Sequence, residues 1–174
     1  NWMKRNLDNL EKKREEELKR LLRMFEDNPD EALKYALPLD SPYFSRGKSE
    51  PSDQLSRRNT DFNMNRLGGG GAVDNWNTGD YHQKLREVYQ KAAQRETEAG
   101  RFKKAAYIYA ELLNDFTAAA NVLMQGKYYR EAAALYTEHL KNKPAAAECL
   151  EKGGLYLEAI KLYIELGKEE KAGD

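Results

Sequence analysis

Few side chains in this sequence have the type and spacing that catalysis or ligand binding requires. Residues 68–71 are four glycines, whose successive backbone N–H groups could hold a phosphate. A phosphate-binding loop of that kind continues with Lys followed by Ser or Thr, whereas residues 72–74 are Ala-Val-Asp. We therefore predict that the glycine run does not bind a nucleotide.

Two histidines and one cysteine are the other candidates for metal binding or nucleophilic chemistry. His82 and His139 lie on different predicted helices, and neither has a second ligand at metal-binding spacing. Cys149 takes the place of Val122 in the repeat described below, which indicates a small core residue rather than a nucleophile. We expect no catalytic site, no metal or other cofactor, and no small-molecule substrate.

The charge of the chain argues against polyanionic partners. Its 174 residues include 29 Lys and Arg and 29 Asp and Glu, so the formal net charge at pH 7 is zero. Without a positive field, binding to nucleic acid is not expected. No membrane span is visible, so we expect a cytoplasmic protein. Because Trp2 and Met3 precede Lys4 and Arg5, as at the cytoplasmic edge of a span, an anchor upstream of Asn1 is an alternative.

Residues 81–174 contain an internal repeat with a period of 27 residues. The sequence AAYIY at 105–109 recurs as AAALY at 132–136 and as AIKLY at 159–163. Alanine blocks at 118–120 and 145–147 keep the same period. Apolar residues at three- and four-residue steps within each block predict two short helices per repeat. The predicted repeat core is Phe102, Ala105, Tyr109, Ala119, Leu123, Tyr129, Ala132, Tyr136, Ala146, Leu150, Tyr156, Ala159 and Tyr163.

The segment GLYLEAIKLY at 154–163 resembles the part of a tetratricopeptide repeat that leads from one helix into the next. AGRFKKAAYIY at 99–109 and GKYYREAAALY at 126–136 resemble it less closely, and the period is 27 residues instead of about 34. Such shortened hairpins are also similar to the solenoids of clathrin-type coat and trafficking proteins. The resemblance implies helical hairpins stacked as a short right-handed α-solenoid that binds proteins.

We predict an all-α chain in three parts. Residues 1–37 form a charged helical hairpin, residues 38–80 form an irregular linker rich in Gly, Ser and Asn, and residues 81–174 form the repeats. Apolar anchor residues in the linker predict that part of it lies across the helices, with disorder as the alternative. These residues are Tyr43, Phe44, Phe62, Leu67 and Trp76.

The register of the repeat also gives an expectation for the end of the sequence. Ala172 corresponds to Ala145 and Ala118, so the sequence is expected to enter a second helix there and to leave a pairing face uncovered. Solenoids end in a polar cap. The parent protein is therefore expected to continue with further helices.

The predicted function is that of a non-catalytic scaffold that binds a protein or peptide segment on its repeats. Tyr107 and Tyr128 lie off the periodic positions, and tyrosine is enriched at binding hot spots. Nearby cations could pair with an acidic or carboxyl-terminal group of the partner. The predicted binding residues are Tyr107, Tyr128, Lys103, Lys104, Lys127 and Arg130.

The alternative function is a regulatory or targeting arm of a larger assembly. The whole chain, including EALKYALPLD at 31–40, is similar to bacterial repeat proteins associated with MoxR-type ATPases and von Willebrand A domains. That resemblance implies a multidomain or ATPase-associated assembly, and the alternative anchor upstream of Asn1 would attach this assembly to a membrane.

Overall fold

The computed structural model describes residues 1–39, 51–67 and 76–173, and every regular element in these ranges is helical. A 3₁₀ turn at Gly79–Tyr81 precedes α4, and a π-helical turn at Ile108–Leu112 continues α5. The helices are α1 (Trp2–Asp27), α2 (Pro29–Leu33), α3 (Met64–Leu67), α4 (His82–Glu98), α5 (Phe102–Tyr107), α6 (Phe116–Gln125), α7 (Tyr129–Glu138), α8 (Lys143–Lys152) and α9 (Tyr156–Gly173). The predicted all-α class is confirmed for the described residues.

The 27-residue period of the sequence is reproduced by the backbone. Asp115 caps α6 by accepting a 3.0 Å hydrogen bond from the Ala118 N–H, and Asn142 caps α8 by accepting one of 3.1 Å from the Ala145 N–H. These side-chain bonds satisfy amide groups that a helix start leaves free. Each cap therefore fixes where α6 or α8, the second helix of its repeat, begins.

The turns between successive pairs repeat as well. Gly100, Lys127 and Gly154 have φ angles of 76°, 64° and 74°, each one period after the last. The residue after each turn donates its N–H to a carbonyl five residues earlier, which closes the preceding helix in a Schellman-type turn. These bonds are Arg101 N to Glu96 O at 2.9 Å, Tyr128 N to Leu123 O at 2.8 Å and Leu155 N to Leu150 O at 2.8 Å.

Consecutive helices from α4 to α9 pack against one another in chain order. At two glycines the backbone of one helix approaches a side chain of the neighbouring helix closely. A Cβ atom at Gly126 would lie 2.8 Å from Cβ of Phe102, and one at Gly153 would lie 2.7 Å from Cβ of Tyr129. Carbon atoms in van der Waals contact are about 3.5 to 4.0 Å apart, so only glycine fits at these positions.

The N-terminal helices join the same hydrophobic core. The ring of Phe25 on α1 lies 5.6 Å from the ring of Tyr89 on α4. The hydroxyl of Tyr89 is buried and donates a 2.8 Å hydrogen bond to the carbonyl of Leu37. The first turns of α1 do not take part, because residues 1–9 are exposed.

Part of the linker lies against the helices. Phe62 and Leu67 are buried, and Trp76 is half-buried with the guanidinium of Arg14 at 4.9 Å from its ring centroid. Arg14 also donates a 2.8 Å hydrogen bond to the carbonyl of Ser52. The glycine run at 68–71 and the predicted anchors Tyr43 and Phe44 lie outside the described residues.

The predicted start of a second helix near Ala172 is wrong, because α9 continues from Tyr156 to Gly173 without a break. Glu169 occupies the register position of the capping residues Asp115 and Asn142. Glutamate is not a favoured N-cap residue, so nothing in the sequence ends the helix at that point.

Glycine substitutions test the close approach of α7 and α8. Gly153→Ala should lower the free energy of unfolding by about 1–3 kcal/mol, because the new methyl group collides with Tyr129. Gly167→Ala is the matched control: a Cβ at this helical position meets nothing within 4 Å. It should raise stability by about 0.5–1 kcal/mol through helix propensity. Urea unfolding curves measure both, and equal effects of the two substitutions would contradict the packing.

Candidate functional site

Tyr107, the first of the predicted binding residues, is a core residue. Its side chain is 2% exposed, and burial raises the pKa of its hydroxyl to about 12. The sequence placed it off the periodic positions, but segments from other parts of the chain cover that side of α5. Tyr107 is therefore unavailable to a partner.

Two of the predicted binding cations form ion pairs between helices. Lys103 on α5 lies 3.9 Å from Glu131 on α7, and Arg130 on α7 lies 2.7 Å from Glu158 on α9. The pairs are related by the 27-residue period in both the cation and the acid. The Lys103 ammonium also lies 4.8 Å from the ring centroid of Tyr128. These ion pairs therefore connect α5 to α7 and α7 to α9, the first helices of successive repeats.

The other two predicted cations differ from each other. Lys104 lies 3.3 Å from the carboxylate of Asp30, which also lies 3.6 Å from Arg95. The hydrogen bond and charge of Lys104 lower the pKa of Asp30, and Arg95 adds to this effect. Lys127 is exposed, and it makes no ion pair or ring contact within the ranges that the structure describes.

The residues of the predicted repeat core fall into three groups by burial. Ala105, Ala119, Leu123, Ala132, Ala146, Leu150 and Ala159 are buried, and Phe102, Tyr109, Tyr129 and Tyr136 are half-buried. Tyr156 and Tyr163, both on α9, are 63% and 43% exposed. The last copy of the repeat thus shows to solvent a side that the earlier copies cover.

This exposed side of α9 is apolar. We use the term α9 face for Tyr156, Ile160, Tyr163 and Ile164, which lie at helical spacing on one side of the helix. Ile160 and Ile164 are each 53% exposed. A contiguous apolar surface of this kind on a soluble protein typically marks an interaction site.

The residues considered for chemistry are engaged in structural contacts. The Nδ1 atom of His82 lies 3.1 Å from the hydroxyl of Thr78, and the ring of His139 stacks on Phe116 with centroids 4.6 Å apart. Cys149 is 1% exposed, and burial raises the pKa of its thiol. Its Sγ atom contacts the carbonyl of Tyr129 at 3.4 Å.

Sequence reasoning missed a buried carboxylate. Glu96 on α4 is fully buried at the register position of Leu123 and Leu150. Burial opposes its charge, but hydrogen bonds from Arg101 and Arg95 outweigh that effect and lower the pKa of Glu96. A charged residue at an apolar position of the repeat was the signal that could have revealed it.

A second missed site lies where the linker crosses the π-helical turn. Glu111 is in that turn, and its carboxylate lies 3.8 Å from the guanidinium of Arg66 on α3. Within the described residues, no hydrogen bond reaches Oε2 of Glu111, Nε and Nη2 of Arg66 or Oδ1 of Asn114. Burial raises the pKa of Glu111 to about 7, although Arg66 and Arg58 oppose the shift.

The raised pKa of Glu111 predicts a pH-dependent stability. The folded state favours the protonated carboxyl, so this contribution is complete below the ordinary value of 4.5 and is lost as the pH rises through about 7. Glu111→Gln should match the wild type at about pH 4 and be more stable by about 1–3 kcal/mol at about pH 8.

Urea unfolding at the two pH values checks this expectation. Glu138→Gln is the control, because Glu138 is the register equivalent of Glu111 on α7 and is exposed. A gain at pH 8 for both variants, or for neither, would contradict the assignment.

Comparisons with known proteins do not assign a family to this chain. No protein-family model, curated protein or solved structure matches it. None of the described helices is long and apolar enough to cross a bilayer. The tetratricopeptide-like resemblance therefore rests on the sequence motifs alone.

Proposed function

We propose that this protein is a non-catalytic scaffold, a short α-solenoid that binds a segment of a partner protein on its helical repeats. The observation that carries the proposal is the α9 face, an apolar surface at the end of a row of helices whose equivalent surfaces are covered. Removing apolar area from water contributes about 25 cal/mol per Å², and this gain must exceed the entropy lost when two chains associate.

The solenoid part of the proposal is supported by contacts that repeat with the sequence. The ion pairs Lys103–Glu131 and Arg130–Glu158 join α5 to α7 and α7 to α9 in the same way. Helix caps and left-handed turn residues keep the same 27-residue spacing. In a solenoid each unit contacts its neighbours, so repeated contacts of this kind are expected.

A scaffold role agrees with the state of the reactive side chains. The Cys149 thiol is buried with a raised pKa, which keeps it from forming the thiolate that nucleophilic attack needs. Burial lowers the pKa of His139 while its ring stacks on Phe116. Both groups therefore serve packing.

The exposed edge around Lys127 and Tyr128 is a second place where the same scaffold could bind a segment. Lys127 carries an unpaired charge within the described residues, and Tyr128 is half-buried beside Lys103. Because Lys103 and Arg130 already pair with Glu131 and Glu158, an acidic partner would have to compete with these bonds. This competition makes the edge the weaker site.

Capture of partners from a lysate of the source cells tests the function and locates the surface. Immobilised wild-type chain should enrich a protein that the double variant Ile160→Lys/Ile164→Lys fails to retain, because two charges are placed on the α9 face. Lys127→Ala/Tyr128→Ala tests the edge. Lys152→Ala changes an exposed residue of α8 outside both surfaces and is the control.

Each outcome has a defined meaning once circular dichroism shows that the variants keep their helices. Loss of the partner with the α9 variant alone supports the proposal. Loss with the edge variant alone moves the site to Lys127 and Tyr128. If no protein is enriched over a blank support, the scaffold proposal is wrong.

A further inference from the structure

The partner that the α9 face accepts can be deduced from the two equivalent surfaces that the chain covers itself. α5, α7 and α9 are register copies, beginning at Phe102, Tyr129 and Tyr156. α6 packs on α5, and α8 packs on α7. Comparing the three copies position by position shows which side of α9 is less covered, although Tyr163 on that side donates a 3.1 Å hydrogen bond to Glu151 of α8.

The first position of the comparison is aromatic in all three copies. Phe102 and Tyr129 are half-buried, because Gly126 and Gly153 at the ends of α6 and α8 pack against their Cβ atoms. Tyr156, by contrast, is 63% exposed. A helix ending in glycine is therefore what covers this position in the two earlier copies.

The next position on the same side of the helix gives the same result. Ala106 and Ala133 are 0% and 5% exposed, whereas Ile160 is 53% exposed. These residues lie one turn after the aromatic and share its face. One turn further, Ala110 is 3% exposed and Thr137 is half-buried, whereas Ile164 is 53% exposed. α9 is therefore more exposed than the other copies at three successive positions, and the difference is smallest from α7 at the third.

Leu157, next to Tyr156, shows that a residue can be exposed without belonging to the surface that a neighbouring helix would cover. Leu157 is 78% exposed, more than any residue of the α9 face. Its register equivalents Lys103 and Arg130 are also exposed, although their helices are covered by α6 and α8. The register therefore excludes Leu157 from the surface that a helix would cover.

We propose that the α9 face is the docking site for an α-helix of a partner polypeptide, one with the chemistry of α6 and α8. Such a helix has alanines among its buried residues, as α6 has Ala119 and Ala120 and α8 has Ala146 and Ala147, and it has a glycine at its C-terminal end. It lies along α9 with the glycine against Tyr156. This inference rests on the proposed scaffold function and names the partner class of the same face.

The chemistry of the partner follows from the residues on α9. Ile160 and Ile164 stand where the earlier copies have smaller residues, so a helix with large contact residues would be held further away. Axes of packed helices lie 8–10 Å apart depending on the contact side chains. Small residues on the partner therefore compensate for the isoleucines and restore contact.

The α6 sequence itself is a suitable probe, because it contains no cysteine and is followed directly by its C-cap, Gly126. A synthetic peptide of residues 114–127 is titrated into the full ¹⁵N-labelled chain, and amide shifts are followed by NMR. Since an isolated helix shorter than about 12–15 residues is marginal in water, binding is expected to be weak. The expected result is a saturable shift confined to α9.

Two matched changes test the geometry of the complex. Ile160→Lys should weaken binding of the peptide at least about tenfold, equivalent to about 1.4 kcal/mol, whereas Leu157→Lys should leave it within about twofold. A peptide carrying Gly126→Leu should also bind at least about tenfold more weakly, since the added side chain meets Tyr156. Both protein variants change exposed residues, and thermal melts monitor their folding.

The proposal is overturned by several results. Absence of a saturable shift, equal losses from Ile160→Lys and Leu157→Lys, or equal binding of the Gly126→Leu peptide would each exclude the small-residue helix. Concentration-dependent broadening of α9 in the protein alone, removed by Ile160→Lys, would instead assign the face to a second copy of the chain. If lysate capture depends on α9 while the peptide does not bind, the scaffold function stands and only this inference fails.

Discussion

The close approach of short helices is the constraint on which the rest of this structure depends. α6, α7 and α8 contain ten residues each, which is shorter than an isolated helix needs to be stable in water. They gain contact by packing backbone against side chain, with Gly126 on Phe102 and Gly153 on Tyr129. Alanines on the facing sides extend that contact. What repeats every 27 residues is therefore a contact between a small residue on one helix and an aromatic residue on the next.

The two ends of the row of helices differ in whether other parts of the chain cover them. At the α4 end, Phe25 and the carbonyl of Leu37 contact Tyr89, and α1 and α2 join the core. Glu96 replaces a leucine there and is neutralised by arginines from its own and the next helix region. At the other end, α9 leaves its apolar face open. Within the described residues, α1 and α2 thus cover one end of the core, whereas the apolar side of α9 at the other end is exposed.

Contact with the linker makes the π-helical turn after α5 different from the equivalent part of α7. Glu111 and Glu138 are equivalent in the repeat, yet Glu138 is exposed while Glu111 is covered near Arg66 of α3. The helix widens to a π-helical turn at the same place, and such turns are frequent at functional sites. A buried carboxyl with a raised pKa next to an arginine is consequently a property of the docked linker rather than of the repeat.

Features that depend on neighbours along the chain can be predicted from the sequence. The N-caps Asp115 and Asn142, the turn after Gly126 and the buried alanines all follow from local spacing, capping chemistry and residue size. What covers each helix depends instead on how distant segments pack. Tyr107 is buried, Glu111 is half-buried and Tyr156 is exposed. These differences depend on whether a segment that is distant in sequence packs against the residue. Periodicity identifies which residues share a face, but it does not reveal whether another element occupies that face.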